Sequence, residues 1–445
     1  MKKIISLIIS CLLVLSAMMI SFAPTADAAL FNIDFELRCK SVYLENLDTD
    51  SPVFEREADT RRFPASTTKI MTYIITAEHI SDFKNTYVTV KDSVLAQLDG
   101  TGSSTAGLQA GEKLSIYQLL CSMMIPSGND AALILADYVG GGNTAQFVEM
   151  MNAKASELGC KGTHFSNPHG LNDPNHYTTV RDMAKIAKYA MTLPEFNDIT
   201  NMTGSDCLGE DRFLITTNYM IDASRGGEYY YEYASGIKTG STGNDSGYCL
   251  VSTASKNGYT YLCVAYGAPY EDKNGNNYKN GAMIDSVNLY EWAFNNLSIK
   301  TILDKNDLVK EVRINYAWNK DSIQLIPANG VTEIMPDDVQ LESIDRTFNV
   351  PEEIDAPVKE GDKVGTVTLS YANQKLATVD LLASESVDRS DLLTVADGLK
   401  TVATSKWFII AVVIVVLLLL IYMVVVGVYK RRKRSHRPVK KYRKF

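Results

Sequence analysis

Twenty-two consecutive residues near the end of the chain, Trp407 to Val428, carry no charge, and the basic run Lys430–Arg434 follows almost at once. A helix needs about 20 apolar residues to cross a bilayer. Trp407 and Tyr429 stand where interfacial aromatics belong, and positive charge stays on the cytoplasmic side. The alternative, a buried core helix, does not account for the flanking basic cluster. The other end starts Met1-Lys2-Lys3, continues apolar from Ile4 to Phe22, and reaches Ala26-Asp27-Ala28. A basic start, a greasy middle and small residues at alternate positions mark a secretory signal. A retained anchor is the rival, but the Pro24 break and the small-x-small site favour cleavage after Ala28. The two ends together predict an extracytoplasmic ectodomain held by one C-terminal span, with its last residues in the cytoplasm.

The formal net charge of −8 understates how acidic that ectodomain is, because residues from Lys430 onward hold ten Lys or Arg and no acid. An acidic exported domain argues against nucleic acid as a ligand. Outside the signal segment lie six cysteines: Cys39, Cys121, Cys160, Cys207, Cys249 and Cys263. They show no metal-ligand spacing and read mostly as buried small hydrophobes. Cys249 and Cys263 flank a hairpin turn and are the best candidates for a disulfide.

Between the ends, helical and strand patterns mix. Apolar spacing predicts helices over Lys69–His79, Leu114–Ile125, Ala131–Val139, Phe147–Leu158, Arg181–Met191 and Ile284–Phe294. Strands are expected over Gly247–Ala254 and Tyr259–Tyr266, joined at Lys256-Asn257-Gly258. Further on, Val312, Ile314 and Tyr316 alternate with polar residues, as do Val367, Leu369 and Tyr371, which predicts a small β domain with one buried face. The expected order is a signal (1–28), a mixed α+β domain (29–296), the small β domain (297–390), a stalk (391–406), a transmembrane helix (407–428) and a basic tail (429–445).

Chemistry is carried by three short stretches. A serine hydroxyl is a poor nucleophile until something takes its proton. In Pro64-Ala65-Ser66-Thr67-Thr68-Lys69 a lysine lies three residues after a serine, on the same helix face. Ser-x-x-Lys alone is weak, since it also occurs at Ser81/Lys84 and Ser235/Lys238. Ser127-Gly128-Asn129, in a loop between two apolar helices, offers a hydroxyl to relay a proton and an amide to hold one. Lys238-Thr239-Gly240 is expected to begin a strand, with Gly240 letting a substrate backbone come close. A free lysine, with a pKa near 10.4, is no base at neutral pH. Burial or a neighbouring cation lowers it, and Lys238 is a candidate for that cation.

Ser-x-x-Lys, Ser-x-Asn and Lys-Thr-Gly in this order resemble the penicillin-binding protein and serine β-lactamase superfamily. Within it, Pro64–Thr72, the stretch Thr163-His164-Phe165-Ser166-Asn167-Pro168-His169-Gly170-Leu171, and Lys238-Thr239-Gly240-Ser241-Thr242 are similar to segments of the low-molecular-weight D-alanyl-D-alanine carboxypeptidases. The resemblance runs from about Asn32 to Asn296 and more loosely into the β domain. It implies a β-lactamase/transpeptidase-like fold and a serine hydrolase acting on peptidoglycan stem peptides that end in D-Ala-D-Ala, with β-lactams as covalent inhibitors and no cofactor or metal. It also implies roles: Ser66 as nucleophile, Lys69 as its base, Ser127 as proton relay and Asn129 on the peptide amide. Lys238 would sustain the field, Thr239 would meet the terminal carboxylate beside Gly240, and the N–H groups of Ser66 and Ser241 would form the oxyanion hole.

Two features depart from the family pattern. An arginine that often precedes the last catalytic-domain helix is replaced by Gly281-Ala282, with Lys273 and Lys279 nearby, and the anchor spans the membrane instead of lying on it. His169 reads as structural, Tyr229-Tyr230-Tyr231 as loop packing, and Asp137 and Asp182 as solvated helix faces. A β-lactamase is disfavoured because no Glu lies between Cys160 and Thr179. An inactive peptide sensor is disfavoured by three intact motifs. Endopeptidase or transpeptidase action by the same acyl-enzyme stays open.

Overall fold

The computed structural model describes residues 31–271, 275–372 and 374–435. The expected signal and the last ten residues of the basic tail lie outside the described residues. The described chain divides into two compact units, one running to Lys300 and including Glu333–Val339, the other comprising Thr301–Thr332 and the chain from Gln340.

The first unit is built on a five-stranded antiparallel sheet. Its strands are β1 (Ser41–Asn46), β2 (Ser51–Arg56), β3 (Ala234–Ser241), β4 (Tyr248–Lys256) and β5 (Tyr259–Ala268), in the order β2-β1-β5-β4-β3. Central strands β4 and β5 read as nearly continuous apolar runs because both faces are covered. Val251, Leu262, Val264 and Tyr266 point into the core shared with the helices. Leu250, Tyr261, Cys263 and Ala265 point to the opposite face, under Leu289 and Tyr290. The helices are α1 (Lys69–His79), α2 (Ile116–Met124), α3 (Asn129–Val139), α4 (Thr144–Glu157), α5 (Val180–Ala190) and α6 (Gly281–Asn296). Each expected helix is present. The α2 start moves to Ile116 because Ser115 and Gln118 form a reciprocal capping box.

Several readings of the sequence are corrected. Asp182 is buried, not solvated: it accepts from the Gly162 N–H at 2.7 Å and the Thr163 hydroxyl at 2.9 Å, tying α5 to the preceding loop. Asp137 pairs with Lys91 at 2.6 Å. Cys249 and Cys263 do not oppose one another, since Cys249 faces Tyr266 and Cys263 faces Ser252. Both are buried free thiols. Lys238–Ser241 ends strand β3 rather than beginning it. The tyrosine run packs as the sequence predicts: Tyr231 stacks parallel on Tyr290 at 6.2 Å and Tyr229 stacks on Tyr219.

The second unit holds a six-stranded sheet: β6 (Lys310–Asn315), β7 (Ser322–Pro327), β8 (Asp345–Asn349), β9 (Glu353–Asp355), β10 (Lys363–Tyr371) and β11 (Gln374–Ala383), ordered β8-β10-β11-β7-β6-β9. Val312, Ile314, Ile323, Leu325, Val367, Leu369, Val379 and Leu381 form its buried face. Tyr316 falls outside the alternation, at φ 60°, where the chain leaves β6. Residues expected as a stalk form the helix α7 (Asp391–Thr404), and α8 (Lys406–Ser435) follows. Lys406–Arg432 is long and apolar enough to cross a membrane and buries none of its apolar window.

The N-terminal segment is pinned to α6 by one carboxylate. Asp285 is fully buried and accepts from the Cys39 N–H at 2.7 Å and from Arg38 Nη1 at 3.4 Å. Replacing it by alanine strands a buried donor, which costs about 1–3 kcal/mol. Urea unfolding of the detergent-solubilised chain should show that loss for Asp285→Ala and a smaller one for Asp285→Asn, which keeps an acceptor for Cys39.

Candidate active site

Ser66 lies in a 3-10 turn, Ala65–Thr68, that feeds directly into α1. The turn is held from three sides. The Thr67 hydroxyl donates to Pro64 O at 2.7 Å and also bonds the Tyr266 hydroxyl on β5. The Thr68 hydroxyl donates to Ala65 O at 2.8 Å. His176 completes the support. Its Nδ1 accepts from the Ser166 N–H at 3.0 Å, so the proton sits on Nε2 and is donated to Thr68 Oγ1 at 2.8 Å. Burial pushes the His176 pKa down to about 4, which keeps the ring neutral and this tautomer in place.

Two glycines let the backbone crowd around Ser66. Gly170 sits at φ 95°, and a Cβ there would lie 1.9 Å from Ala65 O. At Gly240 a Cβ would lie 3.1 Å from Ala65 Cβ, Pro64 O and Ser66 N. The sequence reading had Gly240 making room for substrate. The neighbours that its missing side chain admits are instead residues of the nucleophile turn, so β3 packs against the Ser66 backbone.

Lys69 is fully buried at the start of α1. Its Nζ lies 3.0 Å from Ser66 Oγ, 2.5 Å from Asn129 Oδ1 and 2.8 Å from His169 O. Burial, and then the nearby Lys238 cation, hold its pKa well below the usual lysine value, while Asp130 pulls the other way. Lys238, also buried, is pushed down to about 7 by burial alone, and its Nζ donates to Thr239 O at 3.1 Å. His169 contributes a backbone carbonyl rather than a base. Its Nδ1 accepts from the Leu171 N–H at 3.2 Å, and burial, then Lys69, push its pKa to about 3.

Ser127 is buried at φ 67°, and its hydroxyl has no hydrogen-bond partner among the described residues. Asn129 opens α3, and Asp130 beside it anchors the rim of the cleft by accepting from the N–H groups of Ala106 and Leu108 at 2.9–3.1 Å. The resulting cavity, about 550 Å³, is bordered by Ser66, Asn129, His169, Ser241 and the small-residue loop Thr101–Ser104.

Three supports escaped the sequence reading: His176, Gly170 and Thr217. The Thr217 N–H donates to Ile125 O at 3.3 Å, beside the Ser127 loop, and its hydroxyl lies 2.6 Å from Thr239 Oγ1. It therefore joins the second and third motifs, and it sets a second hydroxyl beside Thr239. Lys279 does not take that arginine's place, because it pairs with Glu228 at 2.6 Å, and Lys273 lies outside the described residues. Among the described residues no cluster of His, Cys, Asp or Glu could hold a metal ion.

Comparison with known proteins shows the family. Residues 25–269 match the family model described as D-alanyl-D-alanine carboxypeptidase, and residues 298–389 match the C-terminal domain of penicillin-binding protein 5. The chain is 28% identical over 406 residues to D-alanyl-D-alanine carboxypeptidase DacF of Bacillus subtilis, covering 88% of this chain and 97% of that one. A D-alanyl-D-alanine carboxypeptidase from a Streptomyces strain is 33% identical over 233 residues, 49% of this chain and 77% of its own length. Among solved structures, penicillin binding protein 5 from Haemophilus influenzae superposes with a TM-score of 0.63 at 25% identity, over 81% of this chain and all of that one.

Gly170→Ala tests how far the turn depends on close approach. The added methyl would displace Ala65 and Ser66, and misplacing a reacting group by about 1 Å costs roughly 10²-fold in rate. Acylation by penicillin should slow by about that factor, with Thr67→Ser, which keeps its hydroxyl, as an unaffected control.

Proposed function

Since the chain belongs to the D-alanyl-D-alanine carboxypeptidase family of serine peptidases, we propose a division of labour among its residues for removing the terminal D-alanine of peptidoglycan stem peptides. The observation that carries it is the environment of Lys69. A neutral amine has two hydrogens and one lone pair. Asn129 Oδ1 and His169 O accept the two hydrogens. The lone pair is left for the third neighbour, Ser66 Oγ, whose O–H donates to it. Burial favours that neutral form. Lys69 is thereby poised to take the Ser66 proton as the oxygen attacks the carbonyl of the penultimate D-alanine.

The remaining roles follow from position. The N–H groups of Ser66 and Ser241, brought together by the Gly240 contact, receive the oxyanion, where one lost donor costs about 10²–10³ in rate. Ser127, with its hydroxyl uncommitted, passes a proton to the departing D-alanine nitrogen. The Asn129 amide, its oxygen held by Lys69, presents its NH₂ to the peptide. Thr239 and Thr217 receive the terminal carboxylate, with Lys238 supplying positive charge. Water then releases the acyl group. A β-lactam follows the same path and stops at the acyl-enzyme. Transpeptidation differs only in the acceptor, an amine in place of water, and a similar solved structure, 28% identical over 59% of this chain, is that of a Streptomyces DD-transpeptidase.

The location proposed for this reaction is the outer side of the cytoplasmic membrane. The basic run that ends the apolar helix α8 supports a cytoplasmic C-terminus and a catalytic unit on the outer side.

Incubation of the purified chain with benzylpenicillin should add one drug mass on the Ser66 peptide, and Ser66→Ala should add none. Label on another side chain, or no label, would sink the assignment. The pH profile of acylation gives a second check. Attack needs neutral Lys69, so the rate rises with pH through the lowered Lys69 pKa, well below the ordinary lysine value. It falls again as Lys238, lowered to about 7, loses its charge. Lys238→Arg keeps the cation and should shift only the alkaline limb upward. An unmoved alkaline limb would remove Lys238 from the scheme.

A further inference from the structure

Two cysteines that the reaction does not use meet beside the cleft. Cys121 is buried on α2, and Cys207, in the loop just after Gly204–Ser205, packs against the same apolar core. The approach does not rest on the thiols alone. Gln118, one turn before Cys121 on the same face of α2, donates from Nε2 to Cys207 O at 2.7 Å, and the Cys207 N–H donates to Ser205 Oγ at 3.2 Å. The Cys207 backbone is therefore fixed against the turn of α2 that presents Cys121. Of the other four cysteines, Cys39, Cys249 and Cys263 are buried, and Cys160 donates to Asp182 O.

The two thiols are also unequal. Contact with the other thiol is the first cause that lowers the Cys207 pKa and raises that of Cys121. Cys207 is partly exposed, and Cys121 is shielded. A thiolate that solvent can reach next to a protected thiol is an attacking and resolving pair.

We propose that Cys121 and Cys207 are an oxidation site that closes to an intramolecular disulfide when the folded protein meets a disulfide oxidant. The Cys207 thiolate attacks one sulfur of the oxidant and expels the other half as a thiolate, leaving a mixed disulfide. Cys121 loses its proton to solvent and attacks the Cys207 sulfur, which expels the second thiolate. The two protein thiols are oxidised by two electrons and the oxidant is reduced by two. The proposed export of the catalytic unit decides only where that oxidant is met.

The bond would have a mechanical effect on the site. Helix α2 leads into Ser127-Gly128-Asn129, and the chain from Cys207 leads to Thr217, which bonds Thr239. A disulfide there joins the supports of both walls of the cleft and closes a long loop, the kind of cross-link that constrains the unfolded chain most.

The test uses the full-length protein in detergent, oxidised with glutathione disulfide and digested without reduction. The expected result is the loss of two hydrogens and one cross-linked peptide joining Cys121 to Cys207. The oxidised form should melt at a higher temperature than the dithiothreitol-treated form, and both should take the penicillin label on Ser66. Cys121→Ala should halt at the glutathione adduct on Cys207. Three results would overturn the proposal: a wild-type protein that stops at that adduct, one that stays fully reduced, or one that joins different cysteines. The wild-type outcome needs no variant to fold, and Ser66 labelling shows in each sample that the fold is intact.

Discussion

A lysine side chain placed where water cannot reach it is the constraint around which the first unit is organised. An isolated ammonium in a dry interior is costly, and the group gives up its proton before it accepts that cost. Lys69 is surrounded so that the neutral form is well served: two carbonyl oxygens take its hydrogens and a serine oxygen meets what remains. Each carbonyl comes from a different part of the chain, one from the start of α3 and one from the His169 loop. Those elements must therefore be in place before the amine has its partners. In this way the fold of the helical half and the proposed activation of Ser66 are one problem with one solution.

The supports around the turn carry the same logic outward. A nucleophile that must sit within about 0.5 Å of a productive position needs neighbours that cannot drift. Here they are short polar links, Thr67 to Tyr266 and Thr68 to His176, and two positions without a side chain, Gly170 and Gly240. The β strand that carries Lys238 and Thr239 is braced in turn by Thr217 and by Asn218, whose Nδ2 donates to Gly236 O at 2.7 Å.

Much of this was legible before any coordinates. Ser66, Lys69, Ser127, Asn129, Lys238, Thr239, Gly240 and Ser241 fall in three compact motifs, singled out by residue type, by order and by the resemblance of the trio to a known superfamily, Ser241 by that resemblance alone. Helices such as α1 were legible because an apolar face repeats at helical spacing, and strand β4 because it is bounded by turn residues. What stayed hidden depends on distance in sequence. Thr217 and His176 are ordinary residues until the fold brings Thr239 and Thr68 beside them. Asp182 looked solvated because its spacing on α5 says nothing of the loop at Gly162. Cys249 and Cys263 looked paired from a hairpin count, but the register offsets them, and register is set by the whole sheet. The contact between Cys121 and Cys207 could not be read from a separation of that length.

The tether at Asp130 has a bearing on how enzymes of this kind can diverge. Its carboxylate grips the loop through the main-chain N–H groups of residues 106 and 108, with no demand on their side chains. The stretch it carries, Thr101 to Ser104, is small and mostly exposed. Substitutions can accumulate at residues 101–103 while the anchor keeps its grip, whereas Ser104 is tied to the site by its carbonyl, which accepts from the Asn129 N–H at 2.9 Å, and by its hydroxyl, which donates to Pro126 O at 3.1 Å. Lineages facing cell walls of different composition thus have a part of the entrance open to revision, one that leaves the reacting atoms where they are.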